Sequence, residues 1–369
     1  MNRRRQLSES ERLDWLRLSQ SENVGPITFL NLLNRYGSAS AALEALPELS
    51  LRGGLKRTLK IYSIEQAEQD FARAAKLSAQ FVAMGELGYP PALAHIPSAP
   101  PHLCVSGQLE FAEKESIGIV GARNASALGM KFTRSIARAL TDAGFLVVSG
   151  LARGIDTAAH EASVDVHTAA VIAGGIGNYY PPENETLQRR ISERGFLITE
   201  MLPGTAPKAE HFPRRNRIIS GMSRAIIVVE AALRSGSLIT ARFAAEQGRD
   251  VFSVPGSPLD PRAEGTNKLI KDGAIMVTSI DDLMATLHEE QAQIQTRLLE
   301  PDLEFSTMQI AVGEPEREHV YNLLAPTAIA TDDLIRESGM SAELVLATLL
   351  ELEMAGRALR QSGGRVSAL

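Results

Sequence analysis

Cysteine is almost absent from this sequence. Cys104 is the only cysteine among 369 residues, so the chain cannot form an internal disulfide or a cysteine-rich zinc motif. Such usage is typical of proteins in a reducing cytosol. The sequence also lacks a run of about 18 apolar residues, so it predicts no transmembrane helix. The basic residues at 3–5 are not followed by an apolar segment, so we expect no signal peptide and a cytoplasmic location.

Motifs of common hydrolases are also missing. The sequence contains no Gly-x-x-x-x-Gly-Lys-Ser/Thr loop, no Gly-x-Ser-x-Gly elbow and no His-Glu-x-x-His pair. Glu200 and Glu230 end two predicted strands and are the best candidates for acid–base catalysis. Their alternative role is to brace neighbouring loops by accepting hydrogen bonds from N–H groups or by pairing with arginine.

The charge balance excludes a surface that is basic throughout. Lysine and arginine total 38, aspartate and glutamate total 44, and the formal net charge is −6. Binding to nucleic acid would therefore require a local basic patch. A length of 369 residues predicts two or three domains, and a hydrophobic content of 44% suits globular cores.

The middle of the chain repeats a pattern of apolar run, loop and helical segment. Near-continuous apolar runs between helices are typical of a parallel sheet that is covered on both faces. The sequence therefore predicts an α/β fold with an extended Rossmann-like parallel sheet. The predicted strands are 117–120, 145–149, 169–173, 196–200, 225–229 and 251–254, and the predicted helices are 131–143, 156–162, 185–194, 216–221 and 237–246.

A small helical domain is predicted before this sheet. Apolar residues recur at helix spacing over 13–77, with a turn at Gly25 and a C-cap at Gly37. The pattern is that of a SAM-like or helix-hairpin-helix domain, which either clamps DNA phosphates or packs against a partner. Only Arg35 supplies a nearby cation, so we assign no DNA contact to it.

The C-terminal residues predict a winged helix. Helices are expected at 317–324, 331–338 and 342–355, the last with Ser341 as its N-cap, followed by a hairpin at 357–366. The third helix of this fold usually reads duplex DNA, but here it carries three glutamates and no lysine or arginine, so we favour a protein contact. These glutamates are Glu343, Glu351 and Glu353. The predicted divisions are a helical domain 1–84, a Rossmann-like domain 85–290, a linker 291–315 and a winged helix 316–369.

The most basic stretch of the sequence begins at Phe212 and continues into a predicted helix, whose first turn is indicated by Pro213. Guanidinium groups bind phosphate bidentately, and the N–H groups of a first helical turn face the same anion. The ring of Phe212 suits stacking on an unpaired base. The alternative is a solvated basic helix end. The cations of this stretch are Lys208, Arg214, Arg215 and Arg217.

A second candidate anion site follows the first predicted strand, where Gly121 and Arg123 begin a loop that opens a helix. This loop is not the dinucleotide fingerprint Gly-x-Gly-x-x-Gly, because Arg123 and Ser126 replace two of its glycines. No acidic residue ends the second strand to hold a ribose, since Ser149 and Gly150 stand there instead. Arginine in place of glycine favours a single phosphate, either free or in a polymer.

Two further loops are expected at the same edge of the sheet. Residues 149–156 form a glycine-rich turn with Asp156 as its helix cap, and residues 174–184 form another. His160 follows Asp156 on the same helix face. An aspartate–histidine pair can ligate a metal ion, but no third ligand is evident, so we favour a structural role and expect neither a metal nor a cofactor.

These loops resemble the DNA-processing protein A (DprA/Smf) family. The resemblance covers roughly residues 89–276 through short blocks in the same order, and the flanking domains match the family's usual layout. The sequence departs from the family at Ala122, where many relatives have serine, and at 181–183, where some relatives carry a lysine. The blocks include Gly121-x-Arg123, Ser149-Gly150-x-Ala152-x-Gly154-Ile155-Asp156, Tyr180-Pro181-x-x-Asn184, Phe212-Pro213-x-Arg215-Asn216-Arg217-Ile218-Ile219 and Gly265-x-Asn267-x-Leu269-Ile270.

The resemblance implies a non-catalytic protein that binds single-stranded DNA without sequence preference. Such proteins protect incoming DNA during natural transformation, help to load a RecA-type recombinase and form homodimers through the Rossmann-like domain. Two alternatives stay open: an enzyme that acts on a small nucleotide through Glu200 or Glu230, and an adaptor whose basic cluster is incidental. The implied DNA-binding pocket comprises Arg123, Lys208, Phe212, Arg215 and Arg217, shaped by Gly121, Ser149, Gly150 and Asn216.

Overall fold

The computed structural model describes residues 6–294, 312–361 and 363–369. These residues form two compact units. The larger unit contains residues 70–96 and 103–294, and the smaller unit contains residues 7–69, 97–102 and 312–369. Most of the predicted linker at 291–315 lies outside the described residues, and the predicted domain limits stay a prediction.

The N-terminal residues form the predicted helices. The first helix begins with a capping box, in which the Ser8 hydroxyl accepts from the Glu11 N–H and the Glu11 carboxylate accepts from the Ser8 N–H. The second helix ends at Gly37, whose φ of 76° is readily adopted by glycine, as its predicted C-cap role requires. The helices are α1 Glu9–Gln20, α2 Pro26–Tyr36, α3 Ala39–Arg52 and α4 Ile64–Lys76.

A nine-stranded sheet forms the framework of the larger unit. All six predicted strands are present, and the structure adds the first two strands and the last. The strands are β1 Ala79–Ala83, β2 His102–Gly107, β3 Ser116–Gly121, β4 Leu146–Ser149, β5 Thr168–Val171, β6 Phe196–Thr199, β7 Ala225–Val229, β8 Asp250–Ser253 and β9 Ile275–Met276.

The strand order β1-β2-β6-β5-β4-β3-β7-β8-β9 contains a switch point between β3 and β7. From β3 the chain adds β4, β5 and β6 on one side, and it then returns to place β7, β8 and β9 on the other side. The strands from β3 to β9 pair in parallel with their neighbours, whereas β2 runs antiparallel to β6. Ligands of such sheets bind outside the carboxyl ends of the strands near the switch point. This rule points to the loops that follow β3 and its neighbouring strands.

Helices connect the strands and bury one face of the central sheet. Side chains of three of these helices pack on β3, β4, β7 and β8, and the resulting cluster includes Ile117, Ile136, Leu140, Ile227 and Leu287. Burial of these side chains fixes the strands and hence the loops at their ends. No helix in the described ranges has the length and apolar character needed to span a bilayer. The helices are α5 Pro91–Ala94, α6 Ala127–Asp142, α7 Ile155–Ser163, α8 Glu185–Arg194, α9 His211–Met222, α10 Gly236–Glu246, α11 Glu264–Lys271 and α12 Ile280–Ile294.

The C-terminal residues form the predicted winged helix. A three-stranded antiparallel sheet accompanies three helices, and the Ser341 hydroxyl caps the third by accepting from the Leu344 N–H at 3.3 Å. The elements are α13 Glu314–Leu323, β10 Ile329–Ala330, α14 Thr331–Ser338, α15 Ala342–Met354, β11 Ala358–Gln361 and β12 Arg365–Ala368.

Helix α15 is buried on two sides within the smaller unit. Val345 and Leu349 pack in the core of the winged helix. Leu350 and Met354 instead join the core formed by α1, α2 and α3. The apolar side chains of this helix therefore belong to the core of the smaller unit, and a contact with another protein stays a prediction.

Two of the three glutamates of α15 are also paired within the protein, whereas Glu343 is exposed. Glu351 is fully buried and pairs with Arg317 at 2.6 Å. Glu353 pairs with Arg360 at 2.8 Å, and burial raises the pKa of its carboxyl group. These carboxylates, which would repel phosphate on an exposed helix, are held by arginines inside the unit.

Candidate nucleic-acid interface

A cavity of about 440 Å³ opens at the carboxyl ends of β3, β4 and β5. Its volume is within the range of ligand pockets, roughly 300–1,000 Å³. Loops that follow these three strands form most of its wall, and the start of α9 completes it. Its lining includes Arg123, Gly150, Arg153, Asn178, Tyr180 and Phe212.

A cation and two aromatic rings stand together in this lining. The guanidinium carbon of Arg123 lies 5.7 Å from the centroid of the Phe212 ring. The Tyr180 ring is 5.3 Å from the Phe212 ring, between centroids, and inclined to it by 58°. Arg123 is exposed, and no carboxylate in the described part of the chain pairs with it. The group therefore offers an available positive charge beside surfaces on which a base can stack.

Lys208 lies on the loop that precedes α9. Its neighbour Pro207 lines the cavity, whereas Lys208 itself is exposed outside the lining. The backbone N–H of Lys208 donates to Nδ1 of His211 at 3.3 Å, which ties the loop to the first turn of α9. Contact of the ammonium group with DNA stays a prediction.

Arg215 is buried beneath the cavity rather than exposed in it. Its guanidinium donates to the carbonyl oxygen of Gly150 at 2.6 Å and to that of Val171. Burial lowers the pKa of Arg215 to about 10, so the group stays charged at neutral pH. Its contacts connect the ends of β4 and β5, so this arginine braces the cavity floor.

The loop after β4 is fixed from its other side by Asp156. One carboxylate oxygen of Asp156 accepts from the N–H of Gly150 at 3.1 Å and from the N–H of Ala152 at 3.2 Å. The carbonyl oxygen of Gly150 therefore accepts from Arg215, and its N–H donates to Asp156. A Cβ atom at this position would lie 2.7 Å from the Arg215 guanidinium, so glycine is required by the buried arginine. Asp156 is the second residue of α7 and not its predicted cap, because the helix begins one residue earlier.

Arg217 and Arg214 both pair with Glu200. The ion pair between Arg217 and Glu200 is almost fully buried, and Arg214 reaches the other carboxylate oxygen at 3.0 Å. Burial lowers the pKa of Arg217. Two arginines of the predicted phosphate site at the start of α9 are thus paired with the protein's own carboxylate. Arg217 does not line the cavity, and its predicted DNA contact stays a prediction that this geometry does not favour.

The second predicted anion site, at the start of α6, is likewise filled. The N–H of Ser126 donates to the Glu230 carboxylate at 2.8 Å, and the Ser126 hydroxyl donates to its other oxygen. The same hydroxyl accepts from the N–H of Gly129 at 2.9 Å. Glu230 therefore neutralises the positive end of this helix. Glu200 and Glu230 both make the bracing contacts that the sequence offered as the alternative to catalysis.

The residues predicted to shape the pocket also lie in its supporting framework. The buried Ser149 hydroxyl donates to the Ile119 carbonyl at 2.6 Å. The amide of Asn216 donates to the Gly236 carbonyl at 3.2 Å, which connects α9 to the start of α10. A Cβ atom on Gly121 would lie 1.9 Å from the Val229 carbonyl oxygen, so glycine permits β3 and β7 to approach at the switch point.

The aspartate–histidine pair has structural partners. Nδ1 of His160 lies 2.8 Å from the Thr168 hydroxyl, and burial lowers the pKa of His160 to about 3. Asp156 is occupied by the backbone contacts described above. The described ranges contain no group of three or more histidine, cysteine, aspartate or glutamate side chains arranged to hold a metal ion.

Two further side chains in the cavity lining have the chemistry to contact DNA but were not among the predicted site residues. The Tyr180 ring lies beside the Phe212 ring, and Arg153 borders the cavity from the loop after β4. Both lie on loops that the sequence placed at the correct sheet edge. The signal that could have identified them was position: an aromatic and a cation in loops that share the edge with Arg123.

Comparisons with known proteins agree with this layout. The family model described as DNA recombination-mediator protein A matches residues 80–288, and models described as a DprA-like N-terminal HHH domain and a DprA winged helix domain match residues 9–72 and 306–364. Protein Smf of Synechocystis sp. is 33% identical over 395 residues, which cover 97% of this chain and 99% of that protein. The X-ray structure of DprA from Streptococcus pneumoniae matches with a TM-score of 0.63 and 35% identity, covering 76% of this chain and 98% of that one. A structure of DNA processing protein A from Helicobacter pylori, described for its single-stranded DNA binding mode, matches with a TM-score of 0.53 and 26% identity over 57% of this chain and 97% of that one.

Proposed function

Since this chain belongs to the DNA recombination-mediator protein A (DprA/Smf) family, we propose that it binds single-stranded DNA, independently of base sequence, at the mouth of the cavity described above. Arg123 and Lys208 supply positive charge for the phosphates. Phe212 and Tyr180 supply the surfaces on which bases stack. The H. pylori relative supports this proposal, because its structure is described for binding of single-stranded DNA.

The observation that carries the proposal is the position of Arg123. Its guanidinium is exposed, lacks a carboxylate partner among the described residues and lies over the Phe212 ring. A cation beside an aromatic ring matches the alternation of phosphate and base along a single strand. Every base has a π-face, so this mode of recognition tolerates any sequence.

The buried arginines have a different role in this proposal. Arg215 and Arg217 are positioning residues, which hold the loop after β4 and the start of α9 against the sheet. A rigid cavity mouth keeps the exposed cations in place before DNA arrives, which reduces the entropy lost on binding. Gly121, Ser149, Gly150 and Asn216 serve the same framework.

A salt titration tests the proposal. We expect Arg123→Ala to weaken binding to oligo(dT) and mixed-sequence oligonucleotides alike. Each lost phosphate contact should reduce the slope of log affinity against log salt by about 0.7, which corresponds to roughly fivefold weaker binding at 0.1 M salt. Lys208→Ala should behave similarly. Phe212→Ala should lower affinity by about tenfold at an unchanged slope, because a lost stacking contact of about 1–3 kcal/mol releases no counterion.

Arg242→Ala is the matched control. Arg242 also lies over a phenylalanine ring, that of Phe243, at 5.6 Å, but on α10 away from the cavity lining. Its replacement removes the same charge and should leave affinity and slope near those of the original protein. Equal slopes for Arg123→Ala, Arg242→Ala and the original protein would reject the cavity as the binding site.

The alternative that the protein is an enzyme requires a free carboxylate for acid–base catalysis. Neither of its two candidates, Glu200 and Glu230, is free. Glu200 is held by two arginines, and Glu230 by Ser126. We propose that the protein carries out no catalytic step on DNA. Calorimetry separates the hypotheses, because a nucleotide-processing enzyme should bind a mononucleotide well, whereas a strand-binding protein should bind only the oligonucleotide. Absence of all nucleic-acid binding at low salt would instead favour the adaptor alternative.

We further propose that the protein protects incoming DNA, helps to load a RecA-type recombinase and acts as a homodimer. The family assignment supports these roles, since the matching model is that of a recombination mediator. For the dimer, β9 offers a surface: it is one of the two edge strands, with β1, of the sheet that the described residues form, and Met276 on it is half exposed. Edge strands present backbone groups that pair readily with a second chain. The cytoplasmic location stays a prediction.

A further inference from the structure

A second arginine borders the cavity but is paired with a carboxylate. Arg153 lies in the loop after β4 and lines the cavity, and its guanidinium forms an ion pair with Glu183. Both side chains are exposed, Arg153 at 62% and Glu183 at 46%. The negative charge of Glu183 therefore lies against a cation of the cavity lining.

The pair is held in place by the fold. The side-chain amide of Asn184 donates to the Leu151 carbonyl at 3.0 Å and lies 2.9 Å from the hydroxyl of Thr157, to which it also donates. Asn184 thus fastens the turn that carries Glu183 to the loop that carries Arg153. Gly154, with a φ of 74°, lets this loop turn sharply beside Ala122. The hydrogen bonds of Asn184 therefore hold the two segments together in addition to the ion pair.

Glu183 is ionised at neutral pH. A hydrogen bond from its own backbone N–H and the contact with Arg153 lower the pKa of its carboxyl group. An exposed ion pair of this kind is weak because water screens both charges, so a phosphate can displace the carboxylate. Arg123, on the neighbouring loop, has no such competitor among the described residues.

We propose that Arg153 is a phosphate-binding residue whose contact with single-stranded DNA is limited by Glu183. The Glu183 carboxylate competes with a DNA phosphate for the guanidinium of Arg153. Arg153 therefore neutralises little of the negative charge of the bound strand. Glu183 thereby lowers the affinity of the cavity for single-stranded DNA. It also makes this affinity less dependent on salt than Arg123 and Arg153 would make it without Glu183. This inference rests on the proposed binding of single-stranded DNA at the cavity.

The test is a double-mutant cycle in the full chain. Glu183→Gln keeps the shape of the side chain and removes its charge, so Arg153 becomes available. We expect affinity for oligo(dT) to rise about fivefold at 0.1 M salt, and the slope of log affinity against log salt to steepen by about 0.7, as for one added phosphate contact. Arg153→Gln alone should change binding less than twofold, and the double variant Arg153→Gln/Glu183→Gln should lose the gain.

Glu246→Gln is the matched control for net charge. Glu246 pairs with Arg242 at the end of α10, and these side chains are 50% and 65% exposed, close to the values for Glu183 and Arg153. A gain that is equal in Glu246→Gln and Glu183→Gln would show a general charge effect and overturn the inference. So would a gain in Glu183→Gln that persists without Arg153. If the original protein fails to bind oligo(dT) at all, the proposed function itself is rejected, which is a different result from a missing gain. Thermal unfolding of each variant checks that the fold is kept.

Discussion

Replacement of Arg215 by methionine tests whether the buried arginine braces the cavity or binds DNA. Methionine keeps most of the length of the side chain but donates no hydrogen bond. The change leaves the carbonyl oxygens of Gly150 and Val171 without their charged donor, and it removes the cation that offsets the burial of Asp156. Each hydrogen bond from a charged group contributes about 1.5 kcal/mol at the lower end of its range. Two such bonds give a loss of about 3 kcal/mol in the free energy of unfolding, which agrees with the roughly 3–5 kcal/mol seen when one member of a buried pair is removed.

The pH dependence of this loss has a definite sign. Burial raises the pKa of Asp156 above its value in the unfolded chain. Between the two pKa values the native state holds more protons than the unfolded state, so stability falls as the pH rises through that window. Without Arg215 the native pKa of Asp156 rises further. The destabilisation should therefore be smallest below the ordinary aspartate pKa, grow as the pH rises towards neutrality, and be reduced by the second change Asp156→Asn.

Urea unfolding followed by far-ultraviolet circular dichroism measures the effect. With a dependence of about 3 kcal/mol per molar urea, a loss of 3 kcal/mol lowers the midpoint by about 1 M. Trp15 is the only tryptophan and lies in the smaller unit, so its fluorescence gives a separate signal from that unit.

Binding measurements on the folded variant complete the test. A bracing arginine contacts no phosphate, so the slope of log affinity against log salt should be unchanged in Arg215→Met. A loss of stability below about 1 kcal/mol, or a slope reduced by about 0.7 as for a lost phosphate contact, would refute the reasoning.

Two further predictions concern the switch point and the sheet edge. Glu230→Gln should lower the free energy of unfolding by about 1–2 kcal/mol, because the start of α6 loses a charged acceptor for Ser126; an unchanged melting temperature would contradict this. Met276→Lys should shift a homodimer towards monomer in sedimentation velocity runs if β9 forms the interface, whereas Leu359→Lys, at an exposed residue of the smaller unit, should have no effect. Equal sedimentation of both variants would exclude β9.

The sequence predicted the central sheet well because its strands are buried. Residues 117–120 and 225–229 form long apolar runs, and the structure places both in the middle of the sheet. The strands that were missed lie towards the ends of the strand order. β2 follows the proline-rich residues 97–101, and β9 has only two residues. The first turn indicated by Pro213 is confirmed, because helix α9 begins at His211, whereas the predicted helical range 216–221 begins too late.

The candidate site was predicted less well, because sequence cannot show which cations are buried. Arginine is rarely fully buried, so a cluster of three arginines indicates an exposed patch. In the structure Arg215 and Arg217 are instead buried with partners that lie far away in the sequence, such as Gly150 and Glu200. Only the topology brings those partners together. Phe212 and Arg123 were correctly placed at one edge, because the carboxyl ends of parallel strands always meet there.

The two-sided burial of α15 makes the ends of the chain depend on each other. Residues near 30 and near 350 complete one core, so the Rossmann-like sheet is, in effect, an insertion within a discontinuous domain. Removal of either terminus would strip apolar side chains from the remaining half, for example uncovering Phe29 and Leu32 when the C-terminal helices are lost. A truncated form should therefore lack both the N-terminal helices and the winged helix. Deletion of only one of them would expose the apolar side chains of the other and favour aggregation.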